Sequence, residues 1–250
     1  MIDPATGHPG SHEADVVRAL TRGGIYRLLG RAFGYPTPSV LAELAPLAEQ
    51  AAQAQEVTPD TRQHLARLAA VARDTDPGVM AGEHVFLFDR QVRCPPYESA
   101  YAEAPRMAGK SAELADVAGF YTAFGLTPAD ARPDMEDHIA AELEFMSALA
   151  LKEAYALAEG DADGVAVTRA AQVTFLTDHL GRWAEAFAGS LRLATPIPYY
   201  AAAAGLLAAW VPAEVAALGA TPTRLESLAD PGPAGEEAFT CPLAPPAAEA

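Results

Sequence analysis

Residues 137–146 read DHIAAELEFM, and this segment indicates the fold class. Ile139, Leu143 and Met146 are spaced four and three residues apart, so they lie on one face of a helix. The same spacing of apolar residues recurs along the chain, for example in residues 173–187. No run of alternating β-branched residues indicates a strand. The sequence therefore predicts an all-α, single-domain helical bundle.

The apolar spacing also predicts where the helices lie. We expect them near residues 13–33, 38–54, 59–74, 110–125, 136–159, 164–190 and 197–217. Thr-Pro pairs recur at 37–38, 58–59, 127–128, 195–196 and 221–222, and we expect several of them to mark helix starts, because Thr can cap a helix and Pro fits its first position. Residues 76–108 are less regular, and we expect a loop or short helices crossing the bundle surface.

The two ends of the chain differ in composition from its middle. We expect a flexible N-terminus at 1–12, the helical domain at 13–220, and a disordered Pro/Ala-rich C-terminal tail at 221–250. We recognise no segment close to the roughly 20 apolar residues of a membrane span, and no secretion signal. A cytoplasmic protein without stable membrane insertion is the simplest interpretation.

Charge and cysteine content narrow the classes of partner and chemistry. The chain has 17 Lys and Arg against 33 Asp and Glu, a net charge of −16. An acidic surface repels nucleic acid and favours a basic partner. Cys94 and Cys241 belong to no C-x-x-C pair, so a disulfide framework or structural zinc site is not expected.

Two polar strings are candidates for function. His138 and Glu142 are four residues apart and share a helix face next to Asp137. Residues 94–101 read CPPYESAY, in which two prolines stiffen a loop with two tyrosines. An acidic and apolar site of this kind suits a basic amphipathic peptide. The same residues are also compatible with a purely structural role.

Two other functions remain open from the residues alone. One is a helical metal-dependent hydrolase that uses the pairs Asp137-His138 and Asp178-His179. The chain lacks both Glu-x-x-His and His-Glu-x-x-His, which metal sites on helices commonly use. The other is a general acidic adaptor that binds many basic peptides weakly.

Four segments together resemble one family. These are DHIAAELEFM (137–146), PPYESAY (95–101), GFYTAFGL (119–126) and HLGRWAEAF (179–187). They are similar in order and spacing to the TorD/DmsD/NarJ family of maturation chaperones for molybdenum enzymes. The resemblance covers about residues 14–215, and the Tyr-Glu-Ser form of the loop looks closest to the nitrate-reductase-like and type II branches.

The resemblance implies a cytoplasmic chaperone rather than an enzyme. Its partner would be the apo catalytic subunit of a molybdopterin oxidoreductase, often bound through an N-terminal twin-arginine leader peptide. The client, not the chaperone, would hold the molybdopterin guanine dinucleotide cofactor. No metal, cofactor or nucleic acid is expected on this chain. The resemblance and the residues together predict a peptide-binding site of Phe88, Pro95, Pro96, Tyr97, Glu98, Ser99, Tyr101, Asp137, His138 and Glu142.

Overall fold

The computed structural model describes residues 9–90, 93–101, 107–127 and 135–225. Within these ranges the regular secondary structure is helical, and the only β-type pairing is an isolated bridge between Tyr97 and His138. The prediction of an all-α single-domain bundle is confirmed. The helices are α1 (Pro9–Phe33), α2 (Pro38–Gln53), α3 (Pro59–Arg73), α4 (Pro77–His84), α5 (Met107–Ala123), α6 (Ile139–Glu159), α7 (Ala162–Asp178), α8 (Leu180–Ala194) and α9 (Pro198–Leu218).

Two of the five Thr-Pro pairs start a helix, whereas Thr195 is the C-cap of α8 and Thr221-Pro222 starts no helix within the described residues. The hydroxyl of Thr37 accepts a hydrogen bond from the Val40 N–H at 3.3 Å, and α2 starts at the following proline. The hydroxyl of Thr58 accepts one from the Thr61 N–H at 3.2 Å at the start of α3. In both cases the Thr side chain satisfies a backbone donor that has no partner inside the helix.

The predicted irregular segment 76–108 contains short helices among its described residues. These are α4, a π-helical turn at Val85–Arg90 that continues it, and a 3-10 turn at Glu98–Ala100. The segment crosses the bundle as expected, but Leu87 and Cys94 are completely buried within it. It therefore contributes to the core as well as to the surface.

Helices α1 and α6 form the antiparallel pair on which the candidate site is built. The Ser147 hydroxyl donates to the Gly23 carbonyl at 2.8 Å, and Gly30 lies against the Ala140 carbonyl. A Cβ atom at Gly30 would lie 3.2 Å from that oxygen, so glycine permits the close contact. Because residue numbers rise on α1 as they fall on α6, the start of α6 lies beside the end of α1.

The prediction of one helix over 164–190 is wrong. Helix α7 ends before His179, whose backbone angles of φ −129° and ψ −104° are not helical, and α8 starts directly after it. Gly181 permits this junction, because a Cβ there would lie 2.1 Å from the Leu176 carbonyl oxygen. The apolar spacing continues through the break from Leu176 to Trp183, so periodicity alone gives no sign of it.

The expectation that no segment resembles a membrane span also needs correction. Among the described residues, α9 is long and apolar enough to cross a membrane by length and composition. In the bundle it packs against α3, α7 and α8, and half of its most apolar stretch is buried. A helix that is apolar on all sides is what the centre of a helical bundle requires.

The division of the chain at 12 and 220 stays a prediction, because residues 1–8 and 226–250 lie outside the described ranges. Helix α1 starts at Pro9, inside the segment assigned to a flexible N-terminus. At the other end, the Leu225 N–H donates to the Arg182 carbonyl at 2.8 Å. The first residues of the proposed tail are therefore bound to α8.

Candidate functional site

The loop 95–101 lies directly on the first turn of α6. The Pro96 carbonyl accepts the Ile139 N–H at 2.8 Å, and the Asp137 carbonyl accepts the Glu98 N–H at 3.0 Å. One of the otherwise unpaired N–H groups at the start of α6 is thus satisfied by the loop. The structure brings together the two strings that the sequence singled out, although they are about 40 residues apart.

His138 is the N-cap residue of α6. Its ring nitrogen Nδ1 accepts the Ala140 N–H at 3.1 Å, so a neutral ring has its proton on Nε2. The Tyr97 ring packs edge-on against the imidazole, with 5.3 Å between the ring centres. The His138 ring thus takes the place that a Ser, Thr or Asn side chain commonly has at a helix N-cap.

The Asp137 side chain holds the 3-10 turn of the loop in place. Its side chain is completely buried, and Oδ2 accepts the Ser99 N–H at 3.1 Å. A carboxylate that accepts a backbone N–H makes a charge-assisted bond, roughly twice as strong as a neutral one. Asp137 is thus a structural partner of the loop rather than an exposed acid.

His179 contacts the same turn through the side chain of Glu98. Its Nδ1 lies 3.0 Å from Glu98 Oε2, and its Nε2 lies 3.4 Å from Asp116 Oδ2. Arg182 approaches the other oxygen of Glu98 at 3.8 Å. Burial lowers the pKa of His179, but the hydrogen bond and charge of Glu98, with Asp116 and Asp178, outweigh it and raise the pKa above its usual value.

Carboxylates are concentrated around these contacts. Glu142 is buried and accepts the Trp183 indole N–H at 3.1 Å, while the Tyr121 hydroxyl donates to the Glu136 carbonyl at 2.8 Å. Burial, followed by the charges of Glu142 and its acidic neighbours, raises the pKa of Tyr121 well above its usual value. The acids that act on Tyr121 or His179 are Glu98, Asp116, Glu136, Asp137, Glu142 and Asp178.

The ten residues of the predicted site differ in exposure. Half-exposed surface remains on Pro95, Tyr97 and Ser99. Phe88, predicted here to contact the peptide, packs in the core against Phe187. The other members are buried: Pro96, Glu98, Tyr101, Asp137, His138 and Glu142. Only the first three therefore offer direct contact to a peptide in this conformation, and the role of the whole set stays a prediction.

Sequence reasoning missed the pairing of Glu98 with His179. The two residues are 81 positions apart, and nothing in their local spacing links them. In the sequence, His179 stands out as half of a second Asp-His pair and as the first residue of the segment 179–187. The available signal was that the loop and the segment starting at His179 both belong to the four-segment pattern.

The metal-site alternative finds no support in the part of the chain that the structure describes. No group of three or more His, Cys, Asp or Glu side chains there has an arrangement that suits a metal ion. The nitrogen Nδ1 of His138 is used by its own helix, and His179 is held by Glu98. One residue of each pair, Asp137 or His179, instead contacts the 3-10 turn of the loop.

Cys94 starts the loop but is inert. Its sulfur lies 3.8 Å from both the Tyr101 hydroxyl and the Phe187 carbonyl, and the side chain is completely buried. Burial raises the pKa of the thiol to about 12, so the reactive thiolate is scarce at neutral pH. The cysteine anchors the loop in the core.

A second buried polar cluster lies near the C-terminal end of α6. The Arg22 guanidinium binds Glu214 at 2.7 Å, Glu153 at 2.9 Å and the Gln172 amide oxygen at 2.6 Å. Arg169 adds a contact to Glu153 at 2.6 Å. The cluster lines a cavity of about 400 Å³; buried ion pairs join helices α1, α6 and α9, and the Gln172 amide adds a hydrogen bond from α7.

Comparisons with other proteins give one family match. The family model described as "Nitrate reductase delta subunit" matches residues 44–189, more than half of the 250-residue chain. A solved structure from Archaeoglobus fulgidus, described as a redox enzyme maturation protein, is similar with 22% identity and a TM-score of 0.48. That match covers 80% of this chain and 93% of the other. No curated protein matches this chain in sequence.

Proposed function

The chain belongs to the nitrate reductase delta subunit family, whose members are maturation chaperones of molybdenum enzymes. We propose that it binds an apo catalytic subunit through the N-terminal leader of that subunit. The resemblance to the TorD/DmsD/NarJ family is confirmed, and the chain is a chaperone rather than an enzyme. In this proposal it assists cofactor insertion and folding before export or assembly. The client holds the molybdopterin guanine dinucleotide.

The observation that supports this proposal best is the acid-rich setting of a rigid, partly exposed loop. Asp116 and Asp178 are exposed, Glu136 is half-exposed, and all three lie next to the fixed turn of the loop. Arg182 and His179 are the cations in contact with the cluster among the described residues. The local charge is therefore negative, which favours the basic head of a twin-arginine leader.

The loop also provides a surface for the apolar part of a leader. Pro95 and the Tyr97 ring are half-exposed, and the contact of Tyr97 with His138 keeps the ring in place. A preorganised aromatic and proline surface loses little conformational entropy when a peptide binds. We infer that the acids attract and orient the leader, while the loop contacts its apolar segment.

Calorimetric titration tests the proposal with the N-terminal peptide of a molybdenum-enzyme subunit encoded nearby. An exposed ion pair contributes about 0.2–1 kcal/mol, so Asp116→Asn and Asp178→Asn should each weaken binding about 1.5- to 5-fold. Asp163→Asn, an exposed acid at the other end of α7, is the matched control. Binding should also weaken between about 0.1 and 1 M salt, as the Debye length falls from about 10 to about 3 Å.

The outcomes separate the proposal from its alternatives. Equal binding of a scrambled peptide with the same charge would favour the general acidic adaptor. Affinity that changes neither with salt nor with the two variants would contradict the site. If the leader does not bind but the apo subunit co-purifies with the chain, the contact lies in the body of the client.

A further inference from the structure

A regular set of side chains lies on the outward face of α1. Glu13, Val17, Leu20, Gly24 and Arg27 follow one another at intervals of four, three, four and three residues, and all are exposed. Val17 retains 41% of its accessible surface and Leu20 retains 48%. This spacing is that of a coiled-coil seam, which normally faces a second helix.

Helix α6 extends the apolar surface beside Leu20. Leu151 of α6 crosses α1 at Gly23, where a Cβ atom would lie 3.1 Å from its Cγ atom. Leu151 is 44% exposed, and Tyr155, one turn further along α6, is 70% exposed. Large exposed apolar side chains that cluster across two helices mark an interaction surface more often than isolated ones.

Gly24 is the second observation that points to a partner. A glycine inside a helix costs about 1 kcal/mol relative to alanine. Gly23 has a structural reason, because a larger residue would collide with Leu151, but a Cβ at Gly24 would meet nothing within 4 Å. A bare backbone on an exposed seam lets another helix approach closely, and nothing within the described protomer uses that space.

The two charged residues of this exposed α1 face, Glu13 and Arg27, are complementary to each other and so favour a second copy of the chain as the partner. Glu13 lies seven residues before Leu20 and Arg27 lies seven residues after it, so both share its face two turns away. A two-fold axis through Leu20 would place Glu13 against Arg27 of the partner subunit, and Val17 against the open backbone of Gly24 of the partner subunit. An isologous interface requires this kind of self-complementarity.

We propose that a second copy of this chain packs antiparallel against α1, forming a homodimer centred on Leu20. The proposal goes beyond the leader-binding function and does not depend on it. Leu151 is 13 residues along α6 from His138, or about 20 Å at 1.5 Å per residue, so the dimer leaves the loop surface free. Failure of one proposal would leave the other intact.

Sedimentation equilibrium of the full chain at about 1–100 µM, in about 0.15 M salt, tests the dimer. Salt near this value screens repulsion between two chains of net charge −16 without removing short-range pairs. Leu20→Glu should raise the dimer dissociation constant more than about a hundredfold, because two apolar contacts are lost and two charges face each other. Leu193→Glu, at a 91% exposed leucine of α8, is the matched control and should have no effect.

A charge exchange tests the orientation. Glu13→Arg alone, or Arg27→Glu alone, turns two attractive pairs into two repulsive ones and should weaken the dimer about tenfold. The double variant restores opposite charges and should return the dissociation constant to within about threefold of the starting value. Gly24→Phe should abolish the dimer, while unchanged circular dichroism shows that each protomer remains folded.

Each possible result decides the proposal. A wild-type chain that is monomeric over the whole concentration range overturns it. A dimer that persists in both Leu20→Glu and Gly24→Phe uses another surface and also overturns it. If the double charge variant does not recover the dissociation constant of the wild type, the antiparallel arrangement is contradicted. If it does recover it, the two residues pair across the interface, because a role within one protomer would not produce this recovery.

Discussion

The bond between the Asp137 carboxylate and the Ser99 N–H allows a quantitative test of how the loop is held. We expect Asp137→Ala to lower the free energy of unfolding by about 2 kcal/mol. The wild-type bond is 3.1 Å long and fully buried, and a hydrogen bond to a charged group contributes about 1.5–3 kcal/mol. Part of this is offset, because the variant also removes a buried negative charge near Glu98 and Glu142.

Hydrogen exchange locates the effect. If the loop opens locally, a loss of about 2 kcal/mol should accelerate exchange of the Ser99 amide about 30-fold, since 1.4 kcal/mol corresponds to about a factor of ten. The neighbouring Glu98 amide is an internal control. It donates to the backbone carbonyl of Asp137, which every substitution retains, so its exchange should change less.

Asp137→Asn is the matched variant. It keeps an oxygen of the same shape at the position of the acceptor but removes the charge, so we expect a loss of about 1 kcal/mol, or half the effect of alanine. Hydrogen exchange followed by mass spectrometry gives the exchange rate of the Ser99 amide, and denaturant unfolding gives the loss of unfolding free energy. An Asp137→Ala protein whose Ser99 amide exchanges at the wild-type rate would refute the argument that this side chain holds the loop.

Three further outcomes follow from buried groups elsewhere. Arg22→Ala leaves Glu153 and Glu214 without their shared cation, and denaturant titration should show a loss of about 3–5 kcal/mol; a loss below about 1 kcal/mol would contradict the network. The raised pKa of His179 stabilises the fold fully below its ordinary value of 6.5, and this stabilisation is lost as the pH rises through the raised value. The stability difference between wild type and His179→Gln should therefore be largest below pH 6.5 and shrink as the pH rises above it; a constant difference would be evidence against the pairing. Iodoacetamide should leave Cys94 unmodified until the protein is unfolded in urea, and peptide mapping separates its label from that of Cys241; rapid labelling of Cys94 in the native protein would show that its thiol is accessible.

The sequence was sufficient where the determining interactions are local. Ile139, Leu143 and Met146 were placed on one helix face by their spacing, and all three are completely buried. The Thr caps at 37 and 58 are also local, since each acts on a backbone N–H three residues later. Helical content, several boundaries and the core face of α6 could therefore be predicted from periodicity and capping chemistry.

The sequence was insufficient where the outcome depends on distant partners. The break at His179 is invisible to periodicity, because apolar residues keep their spacing across it. Acidic residues are usually exposed, yet Asp137 and Glu142 are buried because Ser99 and Trp183 supply donors from other segments. No spacing rule within one helix predicts a donor that lies about 40 residues away.

The burial of the acids changes how the site is expected to act. In the proposed function a leader peptide would not pair with the buried Asp137 or Glu142 directly, so their charge would act through the field that it adds to the exposed Asp116 and Asp178. Their hydrogen bonds have a second effect, which is to fix the loop before any peptide arrives. Under this proposal, different residues of one cluster would attract the peptide and fix the shape of the loop. It follows that charge variants at the exposed acids should change mainly the association rate and its salt dependence, whereas variants of the buried acids should change mainly the order of the loop.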